Sequence, residues 1–258
     1  MKKYIKDLTV AEVSYPHSRY VLLKLTDSEP LPEIRPGQFV EVKVEGSQQT
    51  FLRRPISINY VDREKNQLWL LIQTIGEGTK ALARLKEGDT LNLVFPLGNG
   101  FSPISESDEK VLLVGGGVGV APLLEYGKYL EENYVKPVFL LGARSSADLL
   151  ELDYFRSIGD VYITTEDGSE GEKGFVTQHS ILSKEKFSRI STCGPKPMMM
   201  AVAKYAKANG IPCEVSLENM MACGLGACLC CVEKTVKGNV CVCKEGPVFN
   251  IEDLTWQI

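Results

Sequence analysis

From about residue 4 to residue 95, short apolar runs are separated by Pro and Gly. Residues 38–44 alternate between apolar and polar side chains with a period of two, which predicts a strand with one buried face and one solvated face. A short helix is predicted over residues 79–85. Further predicted strands cover residues 20–25, 55–60, 68–75 and 90–95. Short strands broken by turn residues are typical of a sandwich or barrel, and we expect an antiparallel β-barrel.

The pattern changes after residues 98–110, a stretch rich in Gly, Ser, Pro and Glu that we interpret as a linker. Residues 111–114 are uniformly apolar, as in a strand buried on both faces, and the apolar residues from 120 to 130 recur at helical spacing. Beyond them, predicted strands at 137–141, 161–165, 189–192 and 213–217 alternate with predicted helices at 147–158, 175–182 and 196–208. This alternation predicts an α/β domain, a doubly wound parallel sheet with helices on both faces.

Residues 218–258 show neither pattern and hold few apolar residues that could form a core of their own. We therefore expect a bound ion or cluster to organise this tail. The chain is predicted to form three domains: a β-barrel over residues 1–100, an α/β domain over 101–217 and a small C-terminal domain over 218–258.

Composition narrows the class of protein. Of the 258 residues, 44% are apolar and 24% are charged, which argues against a disordered chain, and no uninterrupted apolar run reaches membrane-spanning length. The N-terminal sequence lacks the apolar core of a signal peptide, so we expect a soluble, cytoplasmic protein. The formal net charge is −4 and the basic residues are scattered, so we expect neither nucleic acid nor a membrane as a partner.

Six of the eight cysteines lie between residues 223 and 243. Cys223, Cys228 and Cys231 have C-x4-C-x2-C spacing, and a distant fourth cysteine follows, which is the plant-type arrangement for a [2Fe-2S] cluster. Structural zinc usually uses two short C-x2-C clips, and the first gap here is four residues, so zinc and disulfides are the weaker alternatives. Spacing alone leaves Cys241 and Cys243 both open as the fourth ligand, because alternate residues of an extended segment face the same side.

A glycine-rich turn directly follows the first parallel strand, at residues 114–123. Glycines at a strand-to-helix turn allow the backbone to approach a pyrophosphate. The turn is not G-x-G-x-x-G, and Arg144 stands near the end of the next strand, where the usual ribose-binding acid is missing. A tight turn without a ligand is the alternative.

Arg53 and Arg54 lie in a predicted strand of the barrel, and residues 76–79 open its short helix. A guanidinium and a helix N-terminus both bind phosphate, so together they predict a pyrophosphate clamp on the barrel. Taken alone this signal is weak, because Arg-Arg pairs usually form a solvated surface and Thr79 is equally explained as an N-cap.

These motifs together carry a family resemblance. A barrel with Arg-Pro-x-Ser, followed by an α/β domain that opens with Gly-Gly-x-Gly-x-x-Pro and closes with Cys-Gly-Pro at residues 193–195, resembles the ferredoxin-NADP reductase superfamily. The cysteine loop and Gly-Pro-Val-Phe at residues 246–249 narrow the resemblance to the electron-transfer subunits of NAD-dependent (type B) dihydroorotate dehydrogenase. It covers essentially the whole chain.

The resemblance implies three cofactors: FAD in the barrel, NAD(H) in the α/β domain and a [2Fe-2S] cluster in the tail. It implies no catalytic acid or base, and it places Cys193 near the nicotinamide. The implied FAD-binding residues are Arg54, Pro55, Ile56, Ser57, Leu71, Ile72, Gln73, Gly78 and Thr79. The implied NAD-binding residues are Gly115, Gly116, Gly117, Gly119 and Cys193, and the implied cluster ligands are Cys223, Cys228, Cys231 and Cys243.

The resemblance also implies an activity. The chain would pass electrons between NAD+ and an FMN-containing dihydroorotate dehydrogenase catalytic subunit in pyrimidine biosynthesis, in a heterotetramer of two of each subunit. The alternatives are the small subunit of an NADH-dependent ferredoxin:NADP+ oxidoreductase or sulfide dehydrogenase, and a flavin-binding sensor without turnover. Glu166 and Asp167 would repel a 2′-phosphate, whereas Arg144 would attract one, and we expect NADH to be preferred.

Overall fold

The structure is a computed structural model that describes residues 2–47 and 49–258. Its first half is an antiparallel sheet in the order β4-β3-β7-β1-β2-β6-β5, whose inward side chains form one apolar core. The strands are β1 (Tyr4–His17), β2 (Tyr20–Thr26), β3 (Phe39–Val42), β4 (Arg54–Ser57), β5 (Tyr60–Asp62), β6 (Gln67–Gln73) and β7 (Thr90–Leu97). Helix α1 (Glu77–Leu82) lies between β6 and β7. The strands predicted from the sequence do not include β1, the long first strand.

One stretch of chain closes this sheet into a barrel. Strands β4 and β5 occupy opposite ends of the strand order, yet only two residues separate them. The N–H of Ile58 donates to the carbonyl of Gln38 beside β3, and the N–H of Asn59 donates to the carbonyl of Trp69 in β6, both at 3.0 Å. The prediction of one strand over residues 55–60 is therefore wrong: the chain bends at a corner and changes pairing partner there. The predicted β-barrel itself is confirmed.

The second half is a sheet with helices on both faces. Its parallel strands are β8 (Lys110–Gly116), β9 (Lys136–Ala143), β10 (Asp160–Thr165), β11 (Glu172–Lys173), β12 (Arg189–Cys193) and β13 (Cys213–Ser216), in the order β11-β10-β9-β8-β12-β13. The helices are α2 (Ala121–Glu132), α3 (Leu152–Ile158), α4 (Ile181–Lys184) and α5 (Lys196–Ala208). Apolar residues of α2 and α3 form one core and those of α4 and α5 another. The predicted doubly wound parallel sheet is confirmed.

Two helix predictions in this half are wrong in extent. The segment 147–158 is a 3-10 turn (Ser146–Asp148) followed by α3, with Glu151 at φ +57° between them. The carboxylate of Glu151 accepts a hydrogen bond from Asn59 of the barrel at 2.9 Å, so a contact from the other domain accompanies the break. The segment 175–182 is likewise a 3-10 turn (Val176–Gln178) followed by α4.

The C-terminal tail packs onto the second sheet. It contains β14 (Val232–Thr235), β15 (Gly238–Cys241), α6 (Val242–Glu245) and β16 (Val248–Asn250). Strand β16 pairs antiparallel with β13 and forms the outer edge of that sheet. Cys231, Val242 and Cys243 belong to the same apolar core as α5. The domain boundary at residue 217 stays a prediction, but the described tail shares a core with the α/β domain. Within residues 2–47 and 49–258, no helix combines the length and apolar composition needed to cross a membrane.

Candidate functional site

The two parts of the predicted phosphate clamp, Arg54 and the start of helix α1, lie against each other in the structure. A Cβ added at Gly78 would lie 2.9 Å from Nε of Arg54 and 3.1 Å from Cγ2 of Thr50, so the arginine packs closely on the first turn of α1. Arg53 is different, since its Nη1 donates to the carbonyls of Glu41 and Asn92 at 3.1 Å. Arg53 therefore ties the start of β4 to β3 and β7, and Arg54 is the member of the pair positioned at the helix.

Thr79 is not the N-cap of that helix. The N-cap is Gly76, and Thr79 is the third helical residue. Its hydroxyl accepts a hydrogen bond from the N–H of Gly76 and donates one to the carbonyl of Gly76, both at 3.1 Å. The capping explanation of Thr79 is wrong in position, although its side chain does stabilise the helix start.

The barrel-strand residues predicted to contact FAD fall into two groups. Pro55, Ile56 and Ser57 are half-buried in β4. Leu71 and Ile72 are buried in β6, with Ile72 in the barrel core and Leu71 in the core shared with the second sheet. Only main-chain atoms of these two residues are therefore well placed to contact a ligand.

A cavity of about 660 Å3 lies between the barrel and the second sheet. Gly116, Gly117 and Gly119 line it, as does Gln73 at the end of β6. Gly115 does not line it: a Cβ there would lie 2.9 Å from side-chain atoms of Val120 and Leu123, so this glycine serves helix packing. The predicted nucleotide loop and the end of β6, a predicted FAD-binding strand, therefore border the same cavity.

Gly119 allows a close approach between two turns. A Cβ at this position would lie 2.4 Å from Cα of Gly194 and 2.5 Å from the carbonyl oxygen of Cys193. Gly117 lines the cavity, has φ +57° and has no atom within 4 Å of where its Cβ would be. Both glycines are therefore needed at this turn, one for packing and one for backbone conformation.

Cys193 is fully buried and is not among the described residues that line the cavity, although it is linked to one that does. Its Sγ is 3.9 Å from Oε1 of Glu218, which lines the cavity. Burial raises the pKa of the Cys193 thiol well above its usual value and raises the pKa of the Glu218 carboxyl as well. Sequence reasoning missed Glu218. The signal for it was its place two residues after β13, because the carboxyl ends of parallel strands border the ligand crevice.

The two carboxylates predicted to select the nucleotide differ in position. Glu166 lines the cavity together with Arg144. Asp167 is tied to its own turn, where it accepts hydrogen bonds from the N–H of Ser169 at 2.9 Å and from its hydroxyl at 2.6 Å. Of the residues predicted to select the nucleotide, one carboxylate and one guanidinium therefore line the cavity.

The cysteine loop directs backbone N–H groups at sulfur. Leu225 donates to Sγ of Cys223 at 3.4 Å, and Cys243 donates to Sγ of Cys231 at 3.4 Å. Gly224 and Gly226 have φ +65° and +81°, which a residue with a side chain adopts with strain. A loop wrapped tightly around sulfur, with N–H donors facing it, is the environment that an iron–sulfur cluster requires.

The thiols also perturb one another. Burial opposes ionisation of Cys223, but N–H groups of Leu225, Cys228 and Ala227 lower its pKa to about 6. Burial and the neighbouring Cys231 raise the pKa of Cys243 to about 12. Four cysteine thiolates are what a two-iron cluster divides between its two metals, and backbone N–H groups face two of the sulfurs here. The donor set fits the cluster.

Gly226 distinguishes the two candidates for the fourth ligand. Its N–H donates to Sγ of Cys243 at 3.1 Å, while its carbonyl accepts from Sγ of Cys241 at 3.7 Å. An N–H group stabilises a thiolate and a carbonyl repels one, so this contact favours Cys243.

Glu41 lies directly under the cysteine loop. Its side chain is fully buried, and neither carboxylate oxygen has a hydrogen-bond partner among the described residues. A Cβ added at Gly224 would lie 2.7 Å from Cγ of Glu41. Burial raises the pKa of Glu41 to about 7 against the opposing charge of Arg53. The predicted solvated face of residues 38–44 is therefore wrong at Glu41, because the cysteine loop covers it.

Two regions of the chain match known families. Residues 218–255 match the family described as the iron-sulfur cluster binding domain of dihydroorotate dehydrogenase B, and residues 113–204 match the oxidoreductase NAD-binding domain. These matches confirm two of the predicted cofactors, the iron–sulfur cluster and NAD(H).

Curated relatives cover most of the chain. The dihydroorotate dehydrogenase B (NAD(+)) electron transfer subunit of Fusobacterium nucleatum subsp. nucleatum is 39% identical over 228 residues, covering 85% of this chain and 86% of that protein. The subunit of the same name from Lysinibacillus sphaericus is 41% identical over 228 residues, covering 86% and 87%.

Solved structures agree on the fold. A chain of the NADH-dependent reduced ferredoxin-NADP oxidoreductase, described in connection with flavin-based electron bifurcation, is 31% identical with a TM-score of 0.85 and covers 96% of this chain and 90% of that chain. The ferredoxin reductase in carbazole 1,9a-dioxygenase, at 21% identity and a TM-score of 0.69 over 82% of this chain and 68% of that one, shows the fold alone. With relatives about 40% identical over 85% of its length, this chain belongs to the oxidoreductase family of dihydroorotate dehydrogenase B (NAD(+)) electron transfer subunits.

Proposed function

We propose that the chain passes electrons between a dihydroorotate dehydrogenase catalytic subunit and NAD+, using a [2Fe-2S] cluster and FAD. Bound FAD supplies the exchange between one-electron transfer and hydride transfer that neither the cluster nor the nicotinamide provides alone. The chain's residues bind and align these groups. Arg54 and the Gly78 turn hold the FAD pyrophosphate, and the Gly117–Gly119 turn holds the dinucleotide.

The observation that carries this proposal is the place of Glu41 between two sites. Glu41 of β3 pairs with Pro55 of β4, and we call β4, the first of the two predicted FAD-binding strands, the flavin strand. Its side chain lies against Gly224 of the cysteine loop. The flavin strand therefore has the cysteine loop on one side, and Gln73 of the neighbouring flavin segment lines the nucleotide cavity. This order supports transfer from cluster to flavin to nicotinamide within one chain.

The proposed partner is an FMN-containing catalytic subunit, in an assembly of two copies of each chain. Apolar residues beside the cluster ligands support a protein partner at that face: Met220, Leu225 and Leu229 are 84%, 48% and 64% exposed. Exposed apolar groups clustered at one loop are typical of an interaction site. A cytoplasmic location stays a prediction.

Co-expression with the catalytic subunit of a related dihydroorotate dehydrogenase B tests the proposal. The complex is expected to reduce NAD+ with dihydroorotate, whereas the chain alone reduces an artificial acceptor with NADH and ignores dihydroorotate. Light scattering of the complex is expected to give the mass of two of each chain. Failure to form a complex, together with NADH- and ferredoxin-dependent reduction of NADP+, would instead favour the ferredoxin:NADP+ oxidoreductase alternative suggested by the 31% identical structure.

A further inference from the structure

The barrel contributes three residues to the wall of the nucleotide cavity: Arg19, Tyr20 and Gln73. Arg19 lies in the turn between β1 and β2, and it reaches across to the second domain. Its Nη2 is 2.7 Å from Oδ1 of Asp148, which also lines the cavity. The sequence predictions give neither residue a role.

The partners in this ion pair are held differently. Asp148 also accepts a hydrogen bond from the hydroxyl of Ser145 at 2.9 Å, so its position does not depend on Arg19. The side chain of Arg19 is 53% exposed, which leaves its guanidinium accessible from the cavity. An exposed ion pair contributes little stability, so exchanging its partner costs little.

The cavity wall carries charged groups of both signs, and an anionic ligand can pair only with its cationic ones. Among the described lining residues, Arg19 and Arg144 are cationic and Asp148, Glu166 and Glu218 are acidic. Tyr20 is exposed to these charges. Burial raises the pKa of its phenol, the positive charges of Arg19 and Arg144 lower it, and the negative charge of Asp148 raises it. A pyrophosphate entering this acidic space needs a guanidinium, which binds phosphate in a bidentate manner.

We infer that Arg19 is a dinucleotide-binding residue of the barrel, which exchanges Asp148 for a phosphate of the nicotinamide dinucleotide when the cavity fills. The inference rests on the proposed function, which places the dinucleotide in this cavity. Asp148 is then a competitor: it holds Arg19 in place while the cavity is empty and weakens binding when it is filled. A purely structural clamp between the domains would behave differently, because loss of either partner would loosen it equally.

Calorimetric titration of the FAD- and cluster-loaded chain with ADP-ribose, which contains the pyrophosphate but does not react, separates the two possibilities. Arg19→Gln is expected to raise the Kd about tenfold, the loss of one charge-assisted contact. Asp148→Asn is expected to lower the Kd severalfold, because the guanidinium is released. Adenosine, which lacks phosphate, is expected to bind all variants equally. A rise in Kd in both variants, or no change in Arg19→Gln, would overturn the inference.

Two control variants complete the design. Arg35→Gln removes a comparably exposed arginine that pairs with Glu33 outside the cavity lining, and it is expected to leave the Kd unchanged. Gly119→Ala places a Cβ against Gly194 and is expected to abolish ADP-ribose binding, with FAD content and the cluster spectrum as checks of folding. Normal binding in Gly119→Ala would mean that the proposed dinucleotide site is misplaced. Lost binding there with no effect of Arg19→Gln would reject the Arg19 inference alone.

Discussion

The backbone N–H of Gly226 donates a hydrogen bond to Sγ of Cys243 at 3.1 Å. The carbonyl of the same glycine faces Cys241. One residue therefore offers a donor to one candidate ligand and an acceptor to the other, and only the donor stabilises a thiolate. This contact favours Cys243 as the fourth ligand, although strand alternation leaves the two cysteines equivalent.

We expect Cys243→Ser to disrupt cluster assembly and Cys241→Ser to leave it intact. Reduction of FAD by NADH is expected to survive in both variants, because neither Cys241 nor Cys243 is among the described residues that line the nucleotide cavity. Electron paramagnetic resonance of the reduced proteins provides the measurement. A normal [2Fe-2S] signal in Cys243→Ser, with its loss in Cys241→Ser, would transfer the ligand role to Cys241.

Gly78→Ala is expected to weaken FAD binding about tenfold, because the new Cβ displaces Arg54 from the phosphate clamp. Stability of the apoprotein should not fall, since Ala is the better helix former. Gly76→Ala is the matched control, as no atom lies within 4 Å of its Cβ position. Fluorescence titration of the apoproteins with FAD measures both effects. Equal FAD affinity in the two variants would remove Arg54 from the site.

The sequence predicts the large features of this molecule because they follow from local patterns. The switch from short strands to alternating strands and helices marks the barrel and the α/β domain, and cysteine spacing marks the cluster loop. It does not predict the corner at Ile58 and Asn59, where two strand-like segments differ only in their pairing partner. It also misses Glu41 and Arg19, because their roles arise from segments distant in the chain that cover or face them.

NADH is expected to be preferred over NADPH, with Glu166 as the residue that repels the 2′-phosphate. Glu166→Gln should raise kcat/KM for NADPH relative to NADH by roughly three- to tenfold, the removal of one repulsive charge. Asp167→Asn is the control, because hydrogen bonds from Ser169 hold that carboxylate in its own turn. Steady-state kinetics with both nucleotides measures the ratio. A change in Asp167→Asn but not in Glu166→Gln would reverse the assignment.

Glu125 makes folding stability depend on pH. Burial raises its pKa from 4.5 to about 7, while its Oε2 accepts the N–H of Val61 at 2.8 Å. The folded protein therefore keeps a proton that the unfolded chain releases above its own lower pKa. This contribution is present at low pH and is lost as the pH rises towards and through 7, by up to about 3 kcal/mol.

Glu125→Gln should therefore raise the Tm more at pH 8 than at pH 5.5, because the amide stays neutral and keeps an acceptor for Val61. Glu131→Gln, at an exposed position of the same helix, is the control and should show no such difference. Thermal unfolding followed by circular dichroism at the two pH values provides the comparison. Parallel pH profiles for wild type and Glu125→Gln would contradict a buried neutral carboxyl at this position.

We expect this one chain to connect nicotinamide, flavin and cluster in that order. The most direct test is anaerobic addition of NADH to the purified chain, with absorbance followed at the flavin band and the frozen sample examined by electron paramagnetic resonance. Wild type is expected to lose the flavin band and to show a reduced [2Fe-2S] signal, whereas Cys243→Ser is expected to lose the flavin band without that signal. A cluster signal in wild type that persists after FAD is removed, or flavin reduction that never reaches the intact cluster, would rule out this order.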